Sequence, residues 1–111
     1  MLEILIRPGC KEMLELLSQD FELVIYTAGK EDYMNCVIDL FKTVFKKNYF
    51  AHGLSRNMCL SVPFVDVAVK NIQILCQNNE RNIKDIIIVD NNERGCFLHY
   101  ENYIPIVDYV G

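Results

Sequence analysis

The sequence predicts an α/β fold: a parallel sheet with helices packed against it. Three observations carry that expectation. Strand and helix signals alternate along the chain, which is the pattern of βαβ units. The run Asp85–Val89 (DIIIV) is an unbroken β-branched stretch of the kind found in parallel strands covered on both faces. Polar residues stand just past two strand signals, Thr27 after Glu22–Tyr26 and Asp90-Asn91 after DIIIV. Ligands in such sheets bind beyond the carboxyl ends of the strands.

The elements follow in order. Leu2–Ile6 is a short apolar run readable as a strand, ended by the Arg7-Pro8-Gly9 turn, where proline fixes φ and glycine relaxes it. Cys10, Met13, Leu14 and Leu17 recur at helical spacing with Lys11, Glu12 and Glu15 between them, predicting an amphipathic helix closed by Ser18-Gln19-Asp20. After the strand Glu22–Tyr26, Gly29 breaks the chain. A second helix is expected over Glu31–Val44, with Cys36, Val37, Leu40, Phe41 and Val44 inward. Phe45–Val67, interrupted by Gly53, Ser55, Ser61 and Pro63, reads as short strands and turns. Ala68–Gln77 reads as a third helix with Val69, Ile72, Leu75 and Cys76 inward, and Tyr103–Val107 as a last strand.

The 111 residues suit one domain, with 51% hydrophobic and 23% charged residues, the balance of a globular protein. No apolar run reaches the length of a membrane helix, so no membrane segment is expected. The start has no basic leader, so no signal peptide is expected; an upstream targeting segment would lie outside these residues. A net charge of −4 argues against direct nucleic-acid binding, which rests on phosphate neutralisation. The five cysteines, Cys10, Cys36, Cys59, Cys76 and Cys96, form no CxxC pair and read as reduced core residues of a nuclear or cytoplasmic protein. Cys96 with His99 is too small a set for a zinc site.

Four positions can carry chemistry. Asp90-Asn91 supplies hard oxygens where a Mg²⁺ would sit, or else simply makes an Asx turn. Thr27 and the N–H groups after it can hold a phosphoryl oxygen, or Thr27 can cap the next helix. Lys70 can neutralise phosphate charge, or be a solvated lysine. Arg56 can fork onto a phosphate, or be a solvated loop residue. His52 and His99 show no carboxylate partner in the sequence and read as structural.

The order of these residues resembles the RNA polymerase II C-terminal-domain phosphatase homology domain. That is the small-CTD-phosphatase, NLI-interacting-factor-like branch of the haloacid dehalogenase superfamily. The resemblance rests on ILIRPGCKEMLELLSQDFELVIYTA, YFAHGLSRNMC, VKN and IIIVDNNERGCFLHYENYIPIVDY, nearly the whole chain. It implies a haloacid-dehalogenase-like Rossmannoid sheet and a Mg²⁺-dependent serine/threonine phosphatase acting on phosphoserine peptides through an aspartyl-phosphate. Thr27, Lys70 and Asp90 would be catalytic; Thr27, Ala28 and Arg56 would bind substrate; Asn91 and Asp90 would serve the metal.

The departures are specific. The family's Asp-x-Asp-x-Thr nucleophile strand, which lies before the arginine-proline turn, does not occur in these 111 residues. Its Asp after the lysine is Asn71 and its Ser after Asp-Asn is Asn92. The Lys70–Asp90 gap is long for the family, which fits a lengthened third helix. The resemblance therefore implies a domain, 1–111, truncated at its N-terminus and missing the central strand of its sheet, and inactive alone. Leu2–Ile6 is expected to stay peripheral rather than fill that centre. Thr27, Lys70 and Asn91 are expected to share one cleft. The alternative is a catalytically degenerate module that binds a phosphoprotein or protein segment, as in the related mitochondrial import receptor. That branch would place the protein in mitochondria, given an upstream targeting segment. The intact YTA and VDNN favour the phosphatase branch.

Overall fold

Glycine at position 9 decides how the first helix starts. Its φ of 85° is left-handed, open to glycine without strain, and lets Pro8-Gly9 turn the chain directly into α1 (Cys10–Leu17). The computed structural model describes residues 4–64, 66–79 and 81–110. It divides into two compact units. One holds the residues up to Asn57 together with Tyr109 and Val110; the other holds Met58–Asp108.

In the first unit, Ile4–Ile6 carry no strand, and the rest of the expected Leu2–Ile6 segment lies outside the described residues. The α1 helix buries Leu14 and half-buries Cys10 and Leu17; Met13, expected inward, is exposed. Ser18 ends it, its hydroxyl donating to the Glu15 carbonyl at 3.0 Å. Strand β1 (Leu23–Tyr26) is half-buried throughout, and α2 (Glu31–Phe45) follows as expected. The inward face of α2 is Met34, Val37, Ile38, Phe41 and Phe45; Cys36 and Val44, expected there, are exposed. Helical spacing from Met34 explains the shift: Met34, Ile38, Phe41 and Phe45 recur at i, i+4, i+7, i+11.

The core of this unit is aromatic. Phe41 lies 5.3 Å from Phe45 and 5.8 Å from Phe50, and Phe45 meets Tyr49 edge-on at 6.4 Å, within the range that favours ring pairs. Tyr49 donates to Glu15 of α1, fixing that helix to the start of β2 (Phe50–Leu54). β2 runs parallel to β1, with Val24 opposite His52 and Tyr26 opposite Leu54. Gly53 lies under α2. A Cβ there would meet Met34 Sδ at 2.9 Å, so a larger residue would make the end of the Met34 side chain shift.

In the second unit, β3 (Cys59–Ser61) pairs antiparallel with β4 (Ala68–Lys70). The third helix expected over Ala68–Gln77 is absent. Val65, Val67 and Val69 alternate with Asp66 and Ala68, a two-residue period that suits a strand better than a helix. Beyond it, Ile72–Asn79 is a 3₁₀ run opened by Asn71, whose side chain accepts from the Gln73 N–H at 3.1 Å. The long Lys70–Asp90 gap is therefore not a lengthened α-helix.

The strand expected at Asp85–Val89 is β5 (Ile88–Asp90), displaced toward the C-terminus. The Asn82 side chain accepts from the Lys84 N–H at 3.0 Å and winds Ile83–Asp85 into a 3₁₀ turn. Asn102 then holds that turn, donating to the carbonyls of Ile83 and Ile86 at 2.8 and 2.9 Å. β5 is not covered on both faces, since Ile87 and Val89 are 56% and 52% exposed. It pairs in parallel with β6 (Tyr103–Pro105) through a 3₁₀ crossover, Arg94–Asn102, kinked at His99. Among the described residues the strands form three separate pairs, two parallel and one antiparallel. Glu22–Tyr26 and Asp85–Val89 thus supply strands to different sheets rather than to one. Short parallel and antiparallel sheets mixed with helix fit an α/β class.

Candidate active site

Thr27 stands at the end of β1, and three hydrogen bonds fix its turn to the end of β2. The Thr27 N–H donates to Leu54 O at 2.9 Å, the Arg56 N–H to Gly29 O at 2.8 Å, and Arg56 Nε to Ala28 O at 2.8 Å. The Thr27 hydroxyl accepts from the Gly29 N–H at 3.0 Å, closing a turn on itself. It does not cap α2: the N-cap there is Lys30, without a side-chain bond. Arg56, expected to reach substrate, spends its Nε on the turn. Thr27, Ala28 and Arg56 are thus brought together in one small constellation. His52, read as partnerless, has Glu22 3.8 Å away. Sequence separation hid this pair; the parallel register of β1 and β2 creates it.

The second constellation lies in the other unit. Lys70 ends β4 and is buried, only 8% exposed, and its ammonium pairs with the carboxylate of Asp90 at the end of β5. A buried lysine is rare unless paired. Asp90 is held from every side. Its Oδ2 takes Lys70 and, at 3.7 Å, the Cys96 thiol; its Oδ1 accepts from the Asn92 N–H at 2.9 Å. Its carbonyl accepts from the Tyr103 hydroxyl at 2.8 Å and the Ile106 N–H at 3.1 Å. Cys96 is 1% exposed, and burial first and the Asp90 charge second push its thiol up to about 11, so it stays a protonated donor. Asn91, next in the chain, is exposed, and its amide Nδ2 donates to Asp108 Oδ1 at 2.7 Å.

Cys96 and Asp108 escaped the reading of the sequence as site residues. Cys96 was placed in the core, but its contact with Asp90 depends on how the loop after β5 folds back. Asp108 sits in a C-terminal stretch with no signal beyond its charge. His99 meets Asn71 at 3.1 Å, and burial lowers its pKa.

The fit to a Mg²⁺ is partial. Asn91 Oδ1 is a hard oxygen at a strand end, with its amide nitrogen turned to Asp108. Asp90 is already engaged at both oxygens. Among the described residues no group of three or more His, Cys, Asp or Glu gathers as a metal cluster.

The comparisons with known proteins decide the family. The family model described as NLI interacting factor-like phosphatase matches residues 1–111. The chain belongs to the NLI interacting factor-like phosphatase family. Among relatives of this family, Phosphatase PSR1 of Saccharomyces cerevisiae is 31% identical over 100 residues, covering 90% of the chain and 21% of that protein. CTD small phosphatase-like protein 2 of Dictyostelium discoideum is 30% identical over 101 residues, 90% of the chain and 16% of that protein. Nuclear envelope morphology protein 1 of Schizosaccharomyces pombe is 31% identical over 110 residues, 94% of the chain and 20% of that protein. The chain spans only about a fifth of the length of these relatives. Among the described residues no helix is long and apolar enough to cross a membrane.

Proposed function

We propose that this chain forms part of a Mg²⁺-dependent phosphoprotein phosphatase with a haloacid-dehalogenase-like fold, acting on phosphoserine peptides in the nucleus or cytoplasm. The observation that carries the reading is the buried Lys70–Asp90 pair at the ends of β4 and β5, with Asn91 immediately after it. A lysine ammonium removed from water and aimed by a carboxylate is suited to meet the negative charge that builds on a phosphoryl group in transfer. Asp90 acts through Lys70 and is a positioning residue. The Thr27 turn brings a hydroxyl toward phosphoryl oxygens, while the Thr27 and Gly29 N–H groups hold the turn itself. Asn91 offers one oxygen to a Mg²⁺, which when bound would neutralise phosphate charge.

The covalent step in this reading is attack of an aspartate on phosphorus, which breaks the serine O–P bond, releases the serine as its hydroxyl and gives an aspartyl-phosphate that water then hydrolyses to inorganic phosphate and the free aspartate. That aspartate belongs to an Asp-x-Asp-x-Thr strand, and the 111 residues contain no such motif. The 111-residue chain is accordingly inactive in this reading and holds Mg²⁺ weakly. The test is p-nitrophenyl phosphate hydrolysis with millimolar Mg²⁺ at mildly acidic and at neutral pH. It compares this chain with a form extended upstream through an Asp-x-Asp-x-Thr strand. The short form gives background, and the long form turns over and fails again as Lys70→Ala or Asn91→Ala. Turnover by the short form that Asn91→Ala abolishes would mean a nucleophile lies within these residues. A long form that binds phosphopeptide without turnover would favour the second reading, a binding module of the same fold.

A further inference from the structure

We infer that the open cleft along the second half of the β5–β6 crossover, lined by Phe97, His99, Tyr100, Glu101 and Asn102, is a docking site for the guanidinium of an arginine on a partner protein segment. The cleft lies within the second unit and has a volume of about 420 Å³, room for one long side chain and its flanking backbone. The inference is independent of phosphoryl chemistry, since it concerns what holds a partner and not what reacts.

Hydrogen-bond chemistry selects the ligand. Asn71 Oδ1 accepts from the Gln73 N–H at 3.1 Å, which fixes the oxygen end of that carboxamide, and His99 Nε2 lies 3.1 Å from the same oxygen. A carbonyl oxygen cannot donate, so Nε2 carries the ring proton. Burial lowers the His99 pKa and favours the neutral ring, so Nδ1 keeps a lone pair and no hydrogen. Asn102 gives its Nδ2 to the Ile83 and Ile86 carbonyls at 2.8 and 2.9 Å, which leaves its Oδ1 to offer. Glu101 is exposed and is the one charged residue among the described lining residues, and its carboxylate only accepts. Three polar side chains therefore present acceptors alone, and only the Tyr100 hydroxyl among the described lining side chains can donate as well. The ligand that fits is rich in donors, has no acceptor and is positively charged.

The aromatic lining narrows the choice to arginine. Phe97 and Tyr100 are 47% and 53% exposed, on either side of the non-helical backbone at His99. Exposed rings attract a cation, and a planar guanidinium can stack on them while its fork of five N–H donors meets several acceptors. A lysine ammonium would meet Glu101 but is a compact point charge that neither stacks nor forks. A phosphate would meet the Glu101 carboxylate and no cationic side chain. The net charge of −4 on the whole chain also favours the approach of a basic segment.

The test is an NMR titration of the ¹³C,¹⁵N-labelled 111-residue chain, carried into the millimolar range. The probes are acetylated and amidated Gly-Gly-X-Gly-Gly peptides with arginine, lysine or citrulline at X; citrulline keeps the shape of arginine without its charge. The arginine peptide should shift the Phe97 and Tyr100 ring signals and the Asn102 carboxamide saturably. The lysine peptide should bind about two- to fivefold more weakly, and the citrulline peptide should not saturate. Glu101→Gln should weaken the arginine peptide about two- to fivefold, as for an exposed ion pair, and Tyr100→Ala by a similar factor through the lost ring. Citrulline binding as tight as arginine binding overturns the inference, and so do shifts that cluster outside residues 97–102 or do not saturate. Equal affinity for lysine and arginine overturns the choice of a guanidinium. A loss in Tyr100→Ala with none in Glu101→Gln would mean plain apolar adhesion and likewise refutes it. The His99 ring nitrogens give an independent check, because a proton on Nδ1 in the free chain would break the pattern of acceptors.

Discussion

The Thr27 turn and the Lys70–Asp90 pair are both strand-end constellations, yet they are held by opposite means. The Thr27 turn is fixed mainly by backbone, with main-chain N–H groups of residues 27 and 56 reaching main-chain carbonyls of residues 54 and 29. Lys70 and Asp90 are fixed by side-chain charge, each buried and each the other's counter-ion. A backbone-held site survives most side-chain replacements and loses energy in small steps. A charge-held site is all or nothing, because removing one partner strands the other in a low-dielectric interior.

The sharpest way to break the contrast is to remove one member of the pair. Lys70→Ala or Asp90→Ala should cost about 3–5 kcal/mol of stability, read as a lower urea midpoint. The double replacement Lys70→Met with Asp90→Leu should recover much of that loss while abolishing any phosphatase activity of an active longer form. If the double variant is as unstable as the single ones, the cost lies in packing rather than in stranded charge. Gly53→Ala comes next. Its new Cβ would press on Met34 Sδ at 2.9 Å and Ile38 Cδ1 at 3.3 Å, and overpacking of this kind costs about 1–3 kcal/mol. Pairing it with Met34→Ala should give less than the sum of the two losses if this contact is the cause.

Arg56→Ala should have a smaller effect, about 0.5–1.5 kcal/mol for one hydrogen bond, because the Arg56 N–H to Gly29 bond is backbone and remains. Faster hydrogen exchange at the Gly29 and Arg56 amides would read the loosened turn. A loss as large as that of Lys70→Ala would erase the distinction between the two regions.

A separate effect is in pH. The Cys96 thiol ordinarily titrates at 9.0 and in the folded chain is pushed up to about 11. Between these values the unfolded chain has lost a proton that the folded chain keeps, so stability falls as pH rises. The contribution is fully present below about pH 9 and is lost on the way to about pH 11. Subtracting the profile of Cys96→Ala from that of the wild type isolates it from the tyrosines, which titrate nearby; a flat difference would mean that burial and Asp90 do not raise the thiol.

Helices with a steady apolar stripe were legible in the sequence: α1 and α2 stand where periodicity puts them, because local spacing decides them. Of the strands shorter than four residues, β6 starts at Tyr103 as expected, β5 is displaced, and β4 was hidden inside an expected helix. Val69 belongs to a two-residue alternation that an eye set on helices reads as a helix face. Asp85 looks like the start of a strand until the Asn82 side chain, three residues earlier, claims the local N–H groups. Of the candidate residues, Lys70 and Asp90 were singled out separately from the residues themselves; that they are each other's partner depends on β3–β4 and β5–β6 pairing, which no local pattern encodes. Asp108 and Cys96 gain significance only from neighbours distant in sequence. The expectation that Thr27, Lys70 and Asn91 share one cleft joins residues of the two units. A double-mutant cycle between Thr27→Val and Lys70→Ala on turnover of an active longer form would measure it, with additivity arguing against a shared cleft.

The two parallel pairs also differ in what connects them. β1 and β2 are joined through α2, a helix of 15 residues with its own apolar face, whereas β5 and β6 are joined through kinked 3₁₀ turns. An α-helix of that length can form transiently before its strands meet, which shortens the search for a parallel partner. A 3₁₀ run has no such independence. The β5–β6 pair must therefore close its loop and order its crossover in one step, making it the later and slower of the two to assemble. Pulse-labelling hydrogen exchange during refolding should find the amides of α2 and β2 protected before those of β6, so the Lys70–Asp90 pair would be completed last.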